Sequence, residues 1–150
     1  MISIEFSDKY SEIADIHDAL YSYNLSKTKL QRVDVHAERY PEQGALLAKD
    51  ENGKSSGGIA YHWKNDPRHI FVDFFFLDEA VRGTGLGRKL FDRFISWARE
   101  NGAVRIDLTT NTFQAPGFYQ KMGFVTVNEE PGPVRLVPGN IHYTMQKKLD

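Results

Sequence analysis

Residues 70–89 read Ile-Phe-Val-Asp-Phe-Phe-Phe-Leu-Asp-Glu-Ala-Val-Arg-Gly-Thr-Gly-Leu-Gly-Arg-Lys, and much of the architecture follows from them. The first eight residues predict a strand that is apolar on both faces except at Asp73, as is typical of a central strand covered on both sides. Three glycines at every second position then allow a sharp turn. Apolar residues at three- and four-residue spacing predict a helix that ends near residues 101–102.

The patterns on either side of this stretch predict the rest of a mixed α/β sheet with helices against it. Val104–Leu108 alternates as a strand, so the unit from residue 70 to 108 should be a right-handed parallel crossover. The other predicted elements are strands at Ile2–Phe6, Ala45–Lys49, Gly57–Trp63, Phe124–Val127 and Ile141–Leu149, a hairpin turn at Asn52-Gly53, and helices from Ser7 or Asp8 to about Asn24 and from Pro116 to Gly123. Residues 25–43 fit a second helix, a loop or a short strand equally well.

Composition limits the class of protein. A chain of 150 residues fits one domain, which we place at residues 1–150. The absence of cysteine excludes disulfides, thiolate metal sites and a cysteine nucleophile. Nineteen Lys and Arg against 20 Asp and Glu give a net charge of −1, so no basic excess indicates nucleic-acid binding. The longest bulky apolar run, Phe74–Leu77, is far shorter than the ~20 residues of a membrane span, and the N-terminus lacks a signal core. We therefore expect a cytoplasmic protein.

The glycine turn, Arg82-Gly83-Thr84-Gly85-Leu86-Gly87-Arg88, is the strongest chemical signal in the sequence. Its glycines leave backbone N–H groups uncovered, and the following helix adds unpaired N–H groups and the positive end of its dipole. Together these groups form an anion site suited to phosphate or pyrophosphate. Arg82, Arg88 and Lys89 place three cations at a helix start, which is unfavourable unless a polyanion binds there. The structural alternative is a glycine-rich turn with solvated cations.

Two nucleotide-binding motifs match this turn poorly. A dinucleotide fingerprint, G-x-G-x-x-G, would need its third glycine at position 88, where this chain has arginine. A Walker-type phosphate loop needs Gly-Lys-Ser/Thr, which the turn lacks. The spacing therefore disfavours a nucleotide-dependent oxidoreductase.

Two correctly spaced motifs resemble those of the GNAT superfamily of N-acetyltransferases. Residues 82–87 match that family's Arg/Gln-x-x-Gly-x-Gly/Ala between a strand and a helix. The second motif is carried by Asn111, Ala115, Phe118-Tyr119 and Gly123-Phe124. A further match is Gly57-Gly58-Ile59 in the expected third strand. The resemblance covers residues 44–128 well and the rest loosely, and it extends to one bacterial subgroup of the family.

The resemblance implies a fold and a co-substrate. The family's central sheet is mixed and mostly antiparallel, with about six to seven strands and about four flanking helices. It is splayed open between the fourth and fifth strands, here 70–77 and 104–109, and acetyl-CoA enters that gap. Backbone groups near Phe75, Phe76 and Leu77 would pair with the pantetheine arm, and N–H groups of residues 82–88 would hold the pyrophosphate. The implied cofactor-binding residues are Phe75, Phe76, Leu77, Arg82, Gly83, Thr84, Gly85, Leu86, Gly87, Arg88 and Asn111.

Tyr119 matches the family's general acid. Attack of an amine on a thioester expels a thiolate, and a phenol can supply the proton that this thiolate needs. If Phe118 faces the core, Tyr119 points about 100° away from it, toward the edge of the cleft. The alternative is a packing tyrosine whose hydroxyl lies in water.

Asp73 is the second catalytic candidate, because a carboxylate inside an apolar strand is costly and often functional. It would bind the substrate ammonium or accept its proton, directly or through water. The alternative is an aspartate at a bulge or paired with an arginine. Asn111 either hydrogen-bonds near the cofactor or forms a turn, and Glu79 is expected to be a solvated turn residue. None of the five histidines has metal-ligand spacing, so we expect no metal, and His142 alone lies near a predicted acceptor-site strand.

The sequence thus predicts an acetyl-CoA-dependent N-acetyltransferase that passes the acetyl group directly to a primary amine, with Tyr119 as general acid. A non-catalytic acyl-CoA-binding or sensing module is the alternative, although such a module has no use for the acid. A polyamine, an aminoglycoside, an amino acid and a protein amine all remain open as acceptors. Homodimers are common in the family, so a homodimer is the assembly that the resemblance implies.

Overall fold

The computed structural model describes residues 2–28, 37–111, 116–131, 139 and 141–149, without the side chains of Asn24, Lys27 and Thr28. In chain order its elements are β1 (Ser3–Ser7), α1 (Tyr10–Thr28), β2 (Gln43–Lys49), β3 (Ser55–Lys64), β4 (His69–Leu77), a 3-10 turn (Glu79–Val81), α2 (Leu86–Glu100), β5 (Arg105–Asn111), α3 (Pro116–Lys121), β6 (Val125–Pro131) and β7 (Ile141–Lys148). The described residues thus include three α-helices, against the four expected. None of these helices is long and apolar enough to span a membrane.

The open question over residues 25–43 is answered in part. Helix α1 continues to Thr28, beyond the point near Asn24 where its apolar pattern fades. Residues 37–42 connect to β2 without helix or strand. Residues 29–36 lie outside the described residues, as does most of the predicted loop at 131–139.

The seven strands form one sheet in the order β1-β2-β3-β4-β5-β7-β6. Strands β4 and β5 are parallel, as the strand–helix–strand pattern predicts, and every other neighbouring pair is antiparallel. Helix α2 joins the two parallel strands because such a connection must return to the edge where the first strand began. The fold class predicted from the sequence, a mixed and mostly antiparallel α/β sheet, is confirmed.

Apolar side chains cover both faces of the sheet, and β2 shows how the strands supply them. Leu46 and Ala48 belong to the large core that packs against α2. Ala45 and Leu47 point to the other face, where α1 covers them with Ile13 and Ile16. All four of these side chains are fully buried. A strand that is apolar on both faces lies inside its sheet, as β2 does.

A bulge interrupts β4 at Asp73. Ala60 of β3 pairs with Phe74 of β4, but the next β3 residue, Tyr61, pairs with Val72, so Asp73 is the extra residue. The bulge changes which face the later side chains take. Val72 and Phe75 pack on the α2 side, whereas Phe74 and Phe76 pack on the α1 side.

The parallel pair β4–β5 is joined along only part of its length. Three residue pairs hold it, from Ile70 with Ile106 to Val72 with Leu108. Beyond them β4 remains paired to β3 as far as Leu77, and β5 remains paired to β7 as far as Asn111. The two strands therefore diverge from Asp73 onward, as the splayed sheet of the family resemblance requires.

Candidate active site

The diverging strands open a cleft of about 450 Å³. On one wall it is lined by the second half of β4, and on the other by residues 108–110 of β5 and by Phe118 and Tyr119 of α3. Leu20 and Tyr23 of α1 contribute to its rim, and the glycine turn closes one end. The cleft thus brings together most residues that the sequence singled out: Asp73, Phe75, Phe76, Leu77, Arg82, Gly83, Gly85, Gly87, Arg88 and Tyr119.

The backbone of β4 offers hydrogen-bonding groups to this cleft. The carbonyl of Phe76 faces β3, since a side chain placed on Gly57 would run into it. The amide of Asp78 also turns that way and donates to the carbonyl of Ser56 at 2.9 Å. Because backbone groups alternate along a strand, those of Phe75 and Leu77 face the cleft. Phe76 therefore contributes its ring to the lining, and the flanking residues contribute the backbone edge.

The glycine turn supplies unpaired donors at the other end of the cleft. Gly83 and Gly85 have φ angles of 77° and 85°, in the region that favours glycine. Gly85 is the residue before α2 and has no side chain with which to cap it. The amides of residues 86–88 in the first turn of α2 have no partner within the helix, so they and the helix dipole can receive an anion.

Arg82 connects this turn to the strand and to α1. Its Nε donates to the carbonyl of Leu77 at 2.8 Å, and its guanidinium lies 4.8 Å from the ring centre of Tyr23 and 5.1 Å from that of Phe76. Thr84 donates its hydroxyl to the carbonyl of Val81 at 2.6 Å. Arg82 therefore fixes the geometry of the turn in addition to placing positive charge at the cleft.

Tyr119 is the buried member of the Phe118-Tyr119 pair. It is 8% exposed and lies among the rings of Phe75, Phe91 and Phe124, with centroids 5.7–6.3 Å away. Phe118 is half-buried and stacks on Phe75 at 5.6 Å. Tyr119 is thus more buried than Phe118, and both residues line the cleft. Burial raises the pKa of the Tyr119 phenol above its ordinary value, so the hydroxyl is protonated at neutral pH.

Asp73 projects from the bulge and is paired with a histidine. Its Oδ2 lies 2.8 Å from Nδ1 of His62 on β3, and the two side chains are 10% and 8% exposed. Tyr40 stacks on the His62 ring with centroids 3.9 Å apart and planes at 10°. Burial raises the pKa of Asp73, while the hydrogen bond from His62 acts in the opposite direction. The two structural alternatives for Asp73 were a position at a bulge and a pairing with an arginine. The bulge is present, but the paired side chain is a histidine.

Asn111 and His142 meet where β5 and β7 end beside the cleft. The two residues are opposite each other in the strand pairing, and Nδ1 of His142 lies 3.1 Å from Oδ1 of Asn111. Asn111 ends β5 instead of forming a turn. Glu79 is exposed in the 3-10 turn, and Arg88 is exposed with Asp92 one turn further along α2.

A second histidine–aspartate contact lies at the joined end of β4 and β5. Nε2 of His69 is 3.6 Å from Oδ2 of Asp107, and the carboxylate of Asp107 accepts a hydrogen bond from Nε of Arg105 at 2.9 Å. Nδ1 of His69 donates to the carbonyl of Pro67 at 2.7 Å. Among the described residues, no three or more His, Asp or Glu side chains come together as metal ligands would.

Sequence reasoning overlooked His62 and Tyr40. A usable signal for His62 existed: a hairpin turning at Asp66-Pro67 pairs His62 with Phe71, two residues from Asp73. Diagonal neighbours of this kind can touch across an antiparallel pair. Tyr40 had no such signal, since it lies in the segment whose pattern indicated nothing definite.

Comparison with known proteins gives a family match. A family model described as Acetyltransferase (GNAT) family matches residues 10–124. Blasticidin-S acetyltransferase of Streptomyces morookaense is 38% identical over 98 residues, which are 63% of this chain and 69% of that protein. Peptidyl-lysine N-acetyltransferase YjaB of Escherichia coli K12 is 30% identical over 111 residues, which are 71% of this chain and 67% of that protein.

Solved structures have the same fold. An acetyltransferase from Bacillus cereus superposes with a TM-score of 0.62 and 30% identity, covering 90% of this chain and 89% of that one. An acetyltransferase structure from Bacillus anthracis, in complex with acetyl coenzyme A, gives a TM-score of 0.61 at 22% identity, covering 74% of this chain and 65% of that one. The second similarity concerns the fold alone.

Proposed function

The chain belongs to the GNAT acetyltransferase family, and from that premise we propose that it transfers the acetyl group of acetyl-CoA directly to a primary amine, with Tyr119 as general acid and Asp73 as the group that receives the ammonium. One observation carries the proposal. The cleft between β4 and β5 has on one wall an edge of β4 that no strand pairs with beyond Val72, an anion-binding helix start at one end, and both a phenol and a carboxylate in its lining.

The residues of the cleft fit an elongated thioester with a phosphorylated end. The backbone edge at Phe75 and Leu77 suits the amide groups of a pantetheine arm, which would add to β4 as a further strand does. The amides of residues 86–88, with Arg82 and Arg88 nearby, suit a pyrophosphate. Gly87 packs closely against the cleft wall, since a β-carbon there would meet the rings of Phe75 and Phe118 at 3.4 Å.

Acetyl-CoA, when bound, supplies the acetyl group as an activated thioester. Asp73 would act first, since an amine is protonated at neutral pH and cannot attack in that form. The carboxylate accepts one proton from the acceptor's ammonium, which frees the nitrogen lone pair. The nitrogen–carbon bond then forms as the carbon–sulfur bond breaks.

Tyr119 would act on the departing sulfur. Its phenol is protonated, and it donates its proton as the sulfur gains negative charge. The phenolate takes back a proton from the nitrogen, which must lose a second one to become an amide. Protons therefore balance: the ammonium loses two, of which one ends on the thiol and the other leaves through Asp73 to solvent. The chain has no cysteine to form a thiol acyl-enzyme, and the direct route does not need one.

Two kinds of amine are candidate acceptors, and experiment has to distinguish between them. One similar protein is named for acetylation of blasticidin S and another for acetylation of peptidyl-lysine. Both a small cationic amine and a lysine side chain carry the ammonium that Asp73 would receive. Leu20 and Tyr23 of α1 line the cleft and belong to the part of it that would distinguish them.

Two measurements test the proposal. We expect CoA to raise the melting temperature and NAD to leave it unchanged, because the edge of β4 that no strand pairs with suits a pantetheine arm that NAD lacks. We then expect thiol release from acetyl-CoA in the presence of at least one amine from a panel of polyamines, aminoglycosides, amino acids and lysine peptides. Stabilisation by NAD but not by CoA would refute the cofactor assignment. Stabilisation by CoA without thiol release from any amine would favour the acyl-CoA-binding module.

The cellular setting forms part of the same proposal. A chain without cysteine, dependent on acetyl-CoA, suits the cytoplasm, and cell fractionation measures this directly. We also propose that the chain, one domain over residues 1–150, forms a homodimer. Light scattering after size-exclusion chromatography measures the mass, and a mass near the chain's own 17.2 kDa would refute the dimer.

A further inference from the structure

His62 contacts the candidate base from the neighbouring strand. Asp73 lines the cleft, and the imidazole of His62 reaches it across the β3–β4 pair at 2.8 Å. Both side chains are nearly buried, so water competes little for this hydrogen bond. A carboxylate only accepts, so Nδ1 of His62 carries the hydrogen of this contact.

The imidazole is held in place by aromatic rings. Tyr40 stacks on it face to face at 3.9 Å, and the ring of Phe71 lies 5.7 Å away at 40°. A histidine held in this way directs its Nδ1–H along one line. The bulge that turns Asp73 out of the strand places the carboxylate on that line. Strand register, bulge and stacking thus combine to orient one side chain.

The charges around Asp73 make His62 the decisive partner. From β3, His62 and the exposed Lys64 lower the pKa of the carboxyl, and Glu38 from the segment before β2 raises it. Tyr40 belongs to that same segment, and the pKa of its phenol is raised to about 12, so it is neutral near pH 7. On the α1 side, His17 packs edge-on against the neighbouring Phe74 at 5.0 Å. Burial is the largest influence and raises the pKa of Asp73, and the hydrogen bond from His62 is the largest influence that lowers it.

We propose that His62 is a positioning residue that holds the Asp73 carboxylate ionised and aimed into the cleft, where it takes a proton from the acceptor's ammonium. This inference rests on the function proposed above. In the step itself an N–H bond of the ammonium breaks and an O–H bond forms on Asp73. His62 keeps its own proton throughout and acts only through the carboxylate. The amine that fits such a site is a cation.

Two substitutions of His62 separate a positioning role from a packing role. His62→Leu keeps an apolar side chain but removes the donor, whereas His62→Asn keeps an amide donor near the place of Nδ1. For His62→Leu we expect kcat/KM for the amine at pH 7 to fall by about 10- to 100-fold, as loss of a hydrogen bond to a charged group implies. The acid limb of its pH profile should move to higher pH, because the influence that lowers the pKa of Asp73 is gone. His62→Asn should recover part of both.

The control is His69→Leu, which disturbs the other histidine–aspartate contact and should lower the melting temperature without moving the pH profile. In the double variant His62→Leu/Asp73→Asn, the effect of removing His62 should disappear, because the two residues act as one unit. An unshifted acid limb in His62→Leu, or additive losses in the double variant, would overturn the inference while leaving an active wild type intact. If His62→Leu does not fold, the pH profile of His62→Asn is compared with that of the wild type. A smaller shift of the acid limb to higher pH is then expected, and an unshifted limb would overturn the inference. A wild type that releases no thiol with any amine overturns the proposed function as well.

Discussion

Two histidine–aspartate contacts lie around the β4–β5 pair, His69 with Asp107 at the end where the strands are joined and His62 of β3 with Asp73 where they diverge, and the two differ in what surrounds them. At the joined end, Asp107 has His69 at 3.6 Å and the guanidinium of Arg105 at 2.9 Å, and the strands are hydrogen-bonded beside it. At the diverging end, Asp73 has His62 at 2.8 Å, and the strands have separated to leave a cleft along the carboxylate.

The comparison indicates that the separation of two strands can turn a common side-chain pair into part of a ligand cleft. At the paired end, the carboxylate of Asp107 has an arginine partner within the hydrogen-bonded part of the sheet, and we expect it to contribute to stability. The carboxylate of Asp73 lies at the bulge, just beyond the last residues of β4 that pair with β5. It has a histidine as its partner and lines the space that a ligand can enter. The chemistry of the side chain is the same at both ends, and strand separation decides its use.

The largest expected effect comes from Tyr119→Phe at the diverging end. Removing the hydroxyl keeps the ring packed among its aromatic neighbours but removes the proton donor. We expect kcat to fall by about 10²–10⁴ while KM for acetyl-CoA changes little, since the proton matters only as the thiolate leaves. Steady-state kinetics with a working amine measures this.

Tyr61→Phe is the matched control for Tyr119→Phe. Tyr61 is also 8% exposed and has a pKa raised to about 12 by burial, but it packs against Phe94 and Trp97 under α2. We expect Tyr61→Phe to keep wild-type turnover. Equal kcat in the two variants would show that Tyr119 is a packing residue.

Exchanging each aspartate for asparagine tests the comparison most directly. Asp73→Asn should lower kcat/KM for the amine by about a hundredfold, the lower end of what a lost proton acceptor costs. It should not lower the melting temperature at pH 7. The pKa of Asp73 is raised in the fold, so its charged form opposes folding once the pH exceeds the unfolded value, and the amide removes that charge.

Asp107→Asn should show the reverse pattern. Losing the charge that Arg105 and His69 contact should cost about 1–3 kcal/mol, seen as a melting temperature several degrees lower, with kcat/KM near wild type. Activity and thermal unfolding measured on both variants check the pair. Loss of activity in Asp107→Asn without loss of stability would refute the separation of the two ends.

A smaller effect is expected at the two ends of α2. Gly85 before the helix and Gly102 after it have φ angles of 85° and 86°, with nothing within 4 Å of an added β-carbon. Alanine at either position should therefore cost a similar ~1–2 kcal/mol of backbone strain. Only Gly85→Ala should also weaken CoA binding, by about tenfold, because its backbone belongs to the cleft. Calorimetric titration with CoA and thermal melting measure the two quantities, and equal CoA affinity in both variants would mean that the turn is structural alone.

The order of elements, the parallel crossover and the family were all predictable from local sequence patterns. Those inferences depend on local signals: apolar periodicity in α2, Asn52-Gly53 between two strands, and glycines spaced for a turn with a left-handed backbone. Such signals act within a few residues, so they can be found without knowing what packs where. Tyr119 was found in the same way, from a motif next to the end of a short helix.

The contacts between side chains of the site, in contrast, depend on how the elements pack. The bulge at Asp73 arises from a mismatch between two strands, so neither strand alone encodes it. His62 and Tyr40 reach the carboxylate from a different strand and from a segment with no periodic pattern. Phe118 and Tyr119 both contact Phe75 of β4 and Phe91 of α2, and Tyr119, the more buried of the two, also contacts Phe124. Local pattern specifies the elements because it depends on neighbours in sequence, whereas the site depends on register and packing between elements that are distant in sequence.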